Sequence, residues 1–196
     1  NGNIKVEIYP SDSPGIGLVV KNTSPDNIVY EIKDFTLNLR LKTNTPKDAD
    51  VIIKVYYRIL NEIFVTSGAF VISDIPIKGK AITFIARMGG KIDLQINMSS
   101  LEASVSLGSV VTVSGNVQKQ IVNTATGGIY SAYQLESADT HVKASTGATA
   151  KVIAGRLIDA TASLGGSIGY KGNPVSTYFK TNLGGEIKNY DDDRKE

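Results

Sequence analysis

Glycine recurs along the latter two-thirds of this chain with a period that few folds can accommodate. Gly68, Gly89, Gly108, Gly127, Gly147, Gly165 and Gly184 are separated by steps of 21, 19, 19, 20, 18 and 19 residues. Each is followed by a small residue: Ala69, Gly90, Ser109, Gly128, Ala148, Gly166 and Gly185. The flanking columns keep the same phase. Three residues after the marker stand Val71, Ile92, Val111, Tyr130, Ala150, Ile168 and Ile187, all apolar. Five residues before it stand Ile63, Phe84, Ala103, Val122, Val142, Ala160 and Phe179, again all apolar. The column four after is mostly polar and the column five after mostly apolar, which is the two-residue alternation of strands.

Each unit therefore reads as strand, tight turn at the glycine-small pair, strand and looser return turn. Glycine supplies positive φ and close backbone approach at such a turn. A unit of this length cannot bury its apolar face alone, whereas stacked units cover one another and align their inward columns into one core. The predicted fold is all-β, a β-solenoid with a rise of about 4.8 Å per coil and a rod on the order of 35 Å long. A β-sandwich also gives short, evenly spaced strands. It does not explain a near-constant spacing kept seven times.

Residues 1–67 do not share the period. Four of the six prolines lie there (Pro10, Pro14, Pro25, Pro46), between β-rich runs at Ile4–Tyr9, Ile16–Lys21, Ile28–Lys42 and Val51–Thr66. Phe35, Leu37, Leu39 and Leu41 alternate with polar residues, as a half-buried strand would. The ends of solenoids are atypical because they must protect a terminal edge. The expected organisation is thus one domain: 1–67 as irregular first coils or cap, 68–190 as regular repeats, and 191–196 as a solvated polar tail. Loops are expected at Ser11–Gly15, Ser24–Asn27 and Thr43–Asp50.

Charge and composition narrow the function. The chain has 21 Lys and Arg against 19 Asp and Glu, spread evenly, so it lacks the basic face that nucleic-acid binding requires. No apolar run approaches the length of a transmembrane helix, and no basic-then-apolar leader opens the sequence, so a signal peptide is expected to have been removed. There is no Cys and a single His, His141. That leaves no cysteine nucleophile and no two-His zinc site. No cofactor is expected.

The blocks SGAFVISD (67–74), GGIYSAYQLES (127–137) and SLGGSIGYKGNPVSTYFKTNLGGEI (163–187), with the strand pair at 50–68, resemble the bacterial head GIN autotransporter-adhesin domain family. The resemblance implies a β-helical fold, export to a Gram-negative envelope, at the cell surface, outer membrane or periplasm, and a non-enzymatic adhesion role toward a protein or glycan. A homotrimer is suggested by that analogy alone. Several turns depart from the family's Ser-Gly spelling, as at Met88-Gly89, Leu107-Gly108 and Thr146-Gly147. A periplasmic structural or regulatory scaffold and a polysaccharide-processing enzyme are the alternative classes.

An enzyme would need clustered carboxylates and a base. By count from the marker glycines, Asp139 and Asp159 alone share a column on adjacent coils, and the neighbouring coils do not extend it. They are expected to be solvated turn residues. His141 should face outward beside the inward Val142. Neither a catalytic nor a metal site is therefore expected. Tyr130 and Tyr170 fall in apolar columns and are read as core. Tyr133 and Tyr178 are the tyrosines left for ligand contact, because an exposed tyrosine offers flat apolar area together with a hydroxyl.

Overall fold

The computed structural model describes residues 4–191. Of the polar tail expected at 191–196, only Asp191 lies within the described residues. Among the described residues sixteen strands form, with one 3-10 turn at Pro25–Asn27 capped by the Ser24 hydroxyl. They are β1 Ile4–Pro10, β2 Gly15–Lys21, β3 Ile28–Lys33, β4 Thr36–Leu41, β5 Asp50–Tyr57, β6 Glu62–Val65, β7 Phe70–Ile72 and β8 Ile77–Ala86. The remainder are β9 Lys91–Val105, β10 Val110–Thr124, β11 Ile129–Ser145, β12 Thr149–Ile153, β13 Leu157–Ser163, β14 Ser167–Lys171, β15 Ser176–Asn182 and β16 Glu186–Asn189. The chain is an all-β solenoid of about 7 turns with a repeat spacing of about 19 residues.

Both apolar columns stack residue on residue. Val71, Ile92, Val111, Tyr130, Ala150, Ile168 and Ile187 are consecutive partners across parallel strands. Ile63, Phe84, Ala103, Val122, Val142, Ala160 and Phe179 are likewise. The first column belongs to layer A, built from β16, β14, β12, the first halves of β11, β10 and β9, then β7, β1, β5 and β2. The second belongs to layer B: β6, the second halves of β8 to β11, β13 and β15. The core lies between the layers. Except at the last coil, where Phe179 is 47% exposed, the members of both columns are buried or nearly so.

At the return corner the expected turn is absent in the middle coils. β9, β10 and β11 run through it as single strands of 15, 15 and 17 residues. The coils stack closely enough that the ladder continues around the bend, with Val117 opposite Met98 and Lys119 opposite Ser100.

The tight turns also differ from expectation. The two left-handed residues are the marker glycine and the residue before it, not the glycine-small pair. Ser67, Met88, Leu107, Thr126, Thr146, Leu164 and Leu183 have φ between 46° and 56°. Each turn closes with an i to i+3 hydrogen bond, as from Gly90 N–H to the Arg87 carbonyl at 3.1 Å and from Ala148 N–H to the Ser145 carbonyl at 3.1 Å. Two positive φ values in a hydrogen-bonded turn make type I′. The next residue is small for a separate reason. A Cβ at Gly128 would lie 2.4 Å from the Val105 carbonyl oxygen of the preceding coil.

Asparagine tolerates the first position of a type I′ turn, whereas a β-branched residue there is strained. Thr146 is exposed and at φ 52°. Thr146→Asn is expected to stabilise the protein by about 1 kcal/mol. Thermal unfolding that moved down in the variant would contradict this.

The N-terminal strands depart from the simple coil order. β1 inserts between β5 and β7, parallel to both, and β2 closes the edge of layer A antiparallel to β5. The expected single run at 28–42 is broken into β3 and β4, a separate two-stranded hairpin that turns at Asp34 and Phe35.

Candidate functional site

Tyr133 and Tyr178 lie on opposite layers and do not form one site. Tyr178 is on β15, in register with Asp159, and 61% exposed. Tyr133 is on the first half of β11, where its half-buried ring belongs to an aromatic and lysine cluster on the outer face of layer A.

Three coils build that cluster. Gly169 on β14 leaves the room: a Cβ there would lie 2.3 Å from the Tyr133 hydroxyl and 2.7 Å from the Tyr190 ring. The Tyr133 and Tyr190 rings then meet at 6.2 Å, tilted by 59°. Lys171 Nζ lies 4.7 Å from the centre of the Tyr133 ring, and Lys188 Nζ 5.0 Å from that of Tyr190. Each pair is a cation–π contact, for which 6 Å is about the limit. Sequence reasoning missed Lys171, Lys188 and Gly169. The strand alternation that puts Gly169, Lys171, Lys188 and Tyr190 on the outward side held their signal, but the polar column gave no reason to single them out.

Burial, then the neighbouring Tyr190 and Asp191, push the Tyr133 hydroxyl up to about 12. Its oxygen is inaccessible and has no hydrogen-bond partner. An ordinary tyrosine titrates near 10. Between about 10 and about 12 the native state therefore holds a proton that the unfolded chain has lost, and stability falls as pH rises. Tyr133→Phe is expected to make this alkaline loss shallower. Urea unfolding at stepped pH measures it, and an unchanged slope would refute the assignment.

Asp139 and Asp159 each contact a basic side chain. Asp139 and Asp159 do not stack. Asp139 is opposite Leu157, and Asp159 is opposite His141. The cause is the corner, where the coil offset drops from 20 residues (Ile129 opposite Thr149) to 18 (Thr140 opposite Ile158). Arg156 Nε donates to Asp139 at 2.8 Å, and Arg156 Nη2 makes a second contact. That hydrogen-bonded guanidinium holds the Asp139 carboxyl below the usual range. His141 faces outward, with Nδ1 3.4 Å from Asp159 Oδ2. Among the described residues no three His, Asp or Glu side chains converge as a metal site would require. A groove of about 440 Å³ follows the return corner, lined by Asn97, Met98, Asn116, Gln118 and Glu136 among others. Glu136 is the one titratable side chain in its lining. The groove offers hydrogen bonds along successive coils, whereas glycoside hydrolysis commonly uses a pair of carboxylates.

The fold matches those of known proteins. A putative adhesin from Bacteroides fragilis NCTC 9343 superposes with a TM-score of 0.82 at 22% identity, covering 96% of this chain and 88% of that one. A putative lipid binding protein from Parabacteroides distasonis ATCC 8503 gives 0.73 at 19% identity, with 96% and 88% covered. A putative adhesin from Parabacteroides merdae ATCC 43184 gives 0.71 at 19% identity, with 96% and 89% covered. At these identities the likeness establishes the fold. No curated protein sequence matches the chain significantly. The family model described as "Putative auto-transporter adhesin, head GIN domain" matches residues 1–174. With the stacked glycine turns that carried the resemblance in the sequence, that match makes this chain a member of the head GIN domain family.

Proposed function

We propose that the chain is a non-enzymatic, exported adhesion module of a Gram-negative envelope, presented at the cell surface. Membership of a family described as adhesins carries the reading. The geometry supports it by what the outer faces offer. Asp139 is paired with Arg156, and His141 contacts Asp159. Flat aromatic and cationic area is displayed around Tyr133, with Tyr178 exposed on the opposite layer. Such side chains suit contact with a glycan or a protein surface, where area and complementarity matter more than one reactive group. Tyr133 and Tyr178 are the proposed contact residues, one on each layer.

Protease shaving of intact native cells, with antibody labelling and a periplasmic control, tests the reading. Cleavage and labelling while the control survives are expected. Protection from both until the outer membrane is breached would overturn surface adhesion and leave a periplasmic scaffold as the function. Turnover of a uronate polymer by the purified protein would overturn the non-enzymatic part.

A further inference from the structure

The hairpin of β3 and β4 is the one two-stranded sheet of the described residues and pairs with no other strand. Its register puts Ile28 opposite Leu41, Tyr30 opposite Leu39 and Ile32 opposite Leu37, so one face is apolar throughout. The other face carries Glu31, Lys33, Asn38 and Arg40. The apolar face is covered at its base and along β4, where Leu39 packs half-buried against the core and Leu37 is half-buried. Ile28 and Leu41 are buried, whereas Tyr30 is 60% and Ile32 72% exposed. At the tip Asp34 and Phe35 have φ of 48° and 61°, and Phe35 is fully exposed. A left-handed pair at a hairpin tip favours Asn, Asp or Gly, and a bulky residue there is strained. The fold therefore accepts both a strained backbone and an aromatic ring in water at the same residue.

We propose that this hairpin is a membrane-surface anchor whose tip enters the headgroup and acyl boundary of a lipid bilayer. Area favours a bilayer over a second copy of the chain. Phe35, Ile32 and Tyr30 expose on the order of 500 Å², short of the about 800 Å² per partner that a stable protein interface buries. A bilayer needs no reciprocal patch. Depth agrees as well. Interfacial segments sink about 5–10 Å, which at about 3.4 Å per residue takes in Phe35 and the Ile32–Leu37 pair. Tyr30, two residues farther back on β3, then sits at the level where an amphipathic ring is stable. The unpaired edges of β3 and β4 oppose deeper entry, because their backbone groups need water. Residues 28–42 carry Lys33, Arg40 and Lys42 against Glu31 and Asp34, a small positive excess that suits anionic headgroups, and a lysine stem can lie along the apolar zone with its ammonium at the surface. The anchor is independent of whether the protein works outside the cell or in the periplasm.

Because the chain contains no tryptophan, Phe35→Trp places a single reporter at the tip. With vesicles of phosphatidylcholine and phosphatidylglycerol, its emission is expected to shift to the blue, and the wild-type chain is expected to co-sediment with them. Phe35→Gly relaxes the turn while removing the ring, so it should fold at least as well as wild type. It should nevertheless lose about tenfold or more in vesicle partition. Three results would overturn the proposal: no blue shift and no co-sedimentation, undiminished partition of Phe35→Gly, or a concentration-dependent blue shift without vesicles accompanied by dimers in light scattering. The last would assign the tip to a second copy of the chain.

Discussion

Gly115→Ala is expected to destabilise the protein by about 3 kcal/mol or more, a severe effect for one methyl group. Gly115 lies in β10 at φ 107°, outside the backbone range that an L side chain adopts comfortably. Its Cβ would also fall 2.1 Å from the Ile96 carbonyl oxygen of the preceding coil. That oxygen belongs to backbone paired in the ladder with Gly115 itself, so it cannot move aside without parting two coils. The pairing of β10 with β11 shifts register between Thr112 and Ser114, just before this residue. Gly172 repeats the arrangement near the C-terminal end, at φ 101° with its Cβ 2.3 Å from the Ala154 carbonyl oxygen. Gly15 provides the control, since a Cβ there meets nothing within 4 Å and its φ is not positive. For a chain of this length each kcal/mol moves thermal unfolding by about 2–4 °C. A Gly115→Ala midpoint as high as that of Gly15→Ala would show that the corner is looser than its geometry implies.

The glycine period was enough to identify the solenoid, because a repeated turn leaves a local mark in every coil. The columns at Val71 and Ile63 stack as counted because their positions are set by the nearest tight turn, whose length is constant. Counting failed where it had to cross the return corner. Asp139 and Asp159 are each twelve residues past a marker glycine, yet two residues of corner separate their columns. The insertion of β1 between β5 and β7 was not legible, since which parallel strands become neighbours depends on distant parts of the chain. The hairpin tip was hidden by Phe35. In the sequence it extends the Leu37, Leu39, Leu41 alternation, and Asp-Phe lacks the glycine that marks a type I′ turn. The outward cluster at Tyr133 was half legible: the tyrosine stood out, but its lysine partners lie on other coils.

The inward polar residues of the middle coils lead to the second large effect. Tyr130→Phe is expected to cost about 2 kcal/mol. The Tyr130 side chain is fully buried, and its hydroxyl donates to Gln120 Oε1 at 3.0 Å. Gln120 is buried as well, and its Nε2 donates to Thr140 Oγ1 at 3.0 Å and to the Ile153 carbonyl at 3.2 Å. Thr140 in turn donates to that carbonyl at 2.7 Å. Removing the tyrosine hydroxyl leaves Gln120 Oε1 without its donor in a place water does not reach, which costs more than the bond itself contributes. Gln120→Leu alone should cost a similar amount, because it strands the Tyr130 hydroxyl. The double variant removes both ends of the bond and should be less damaging than the two losses added together, by about 1 kcal/mol or more. Chemical denaturation of the four proteins measures this coupling, and strict additivity would mean the two groups do not depend on each other. These side chains come from β10 and β11 and reach the last residue of β12, so the network spans three successive coils. Apolar columns of interchangeable Val, Ile and Ala would tolerate a coil that slipped by two residues, since the same face would still point inward. Gln120, Tyr130 and Thr140 would not, because a slip would separate donors from acceptors in the core. The polar network makes one stacking register distinct in a repeat that would otherwise accept several.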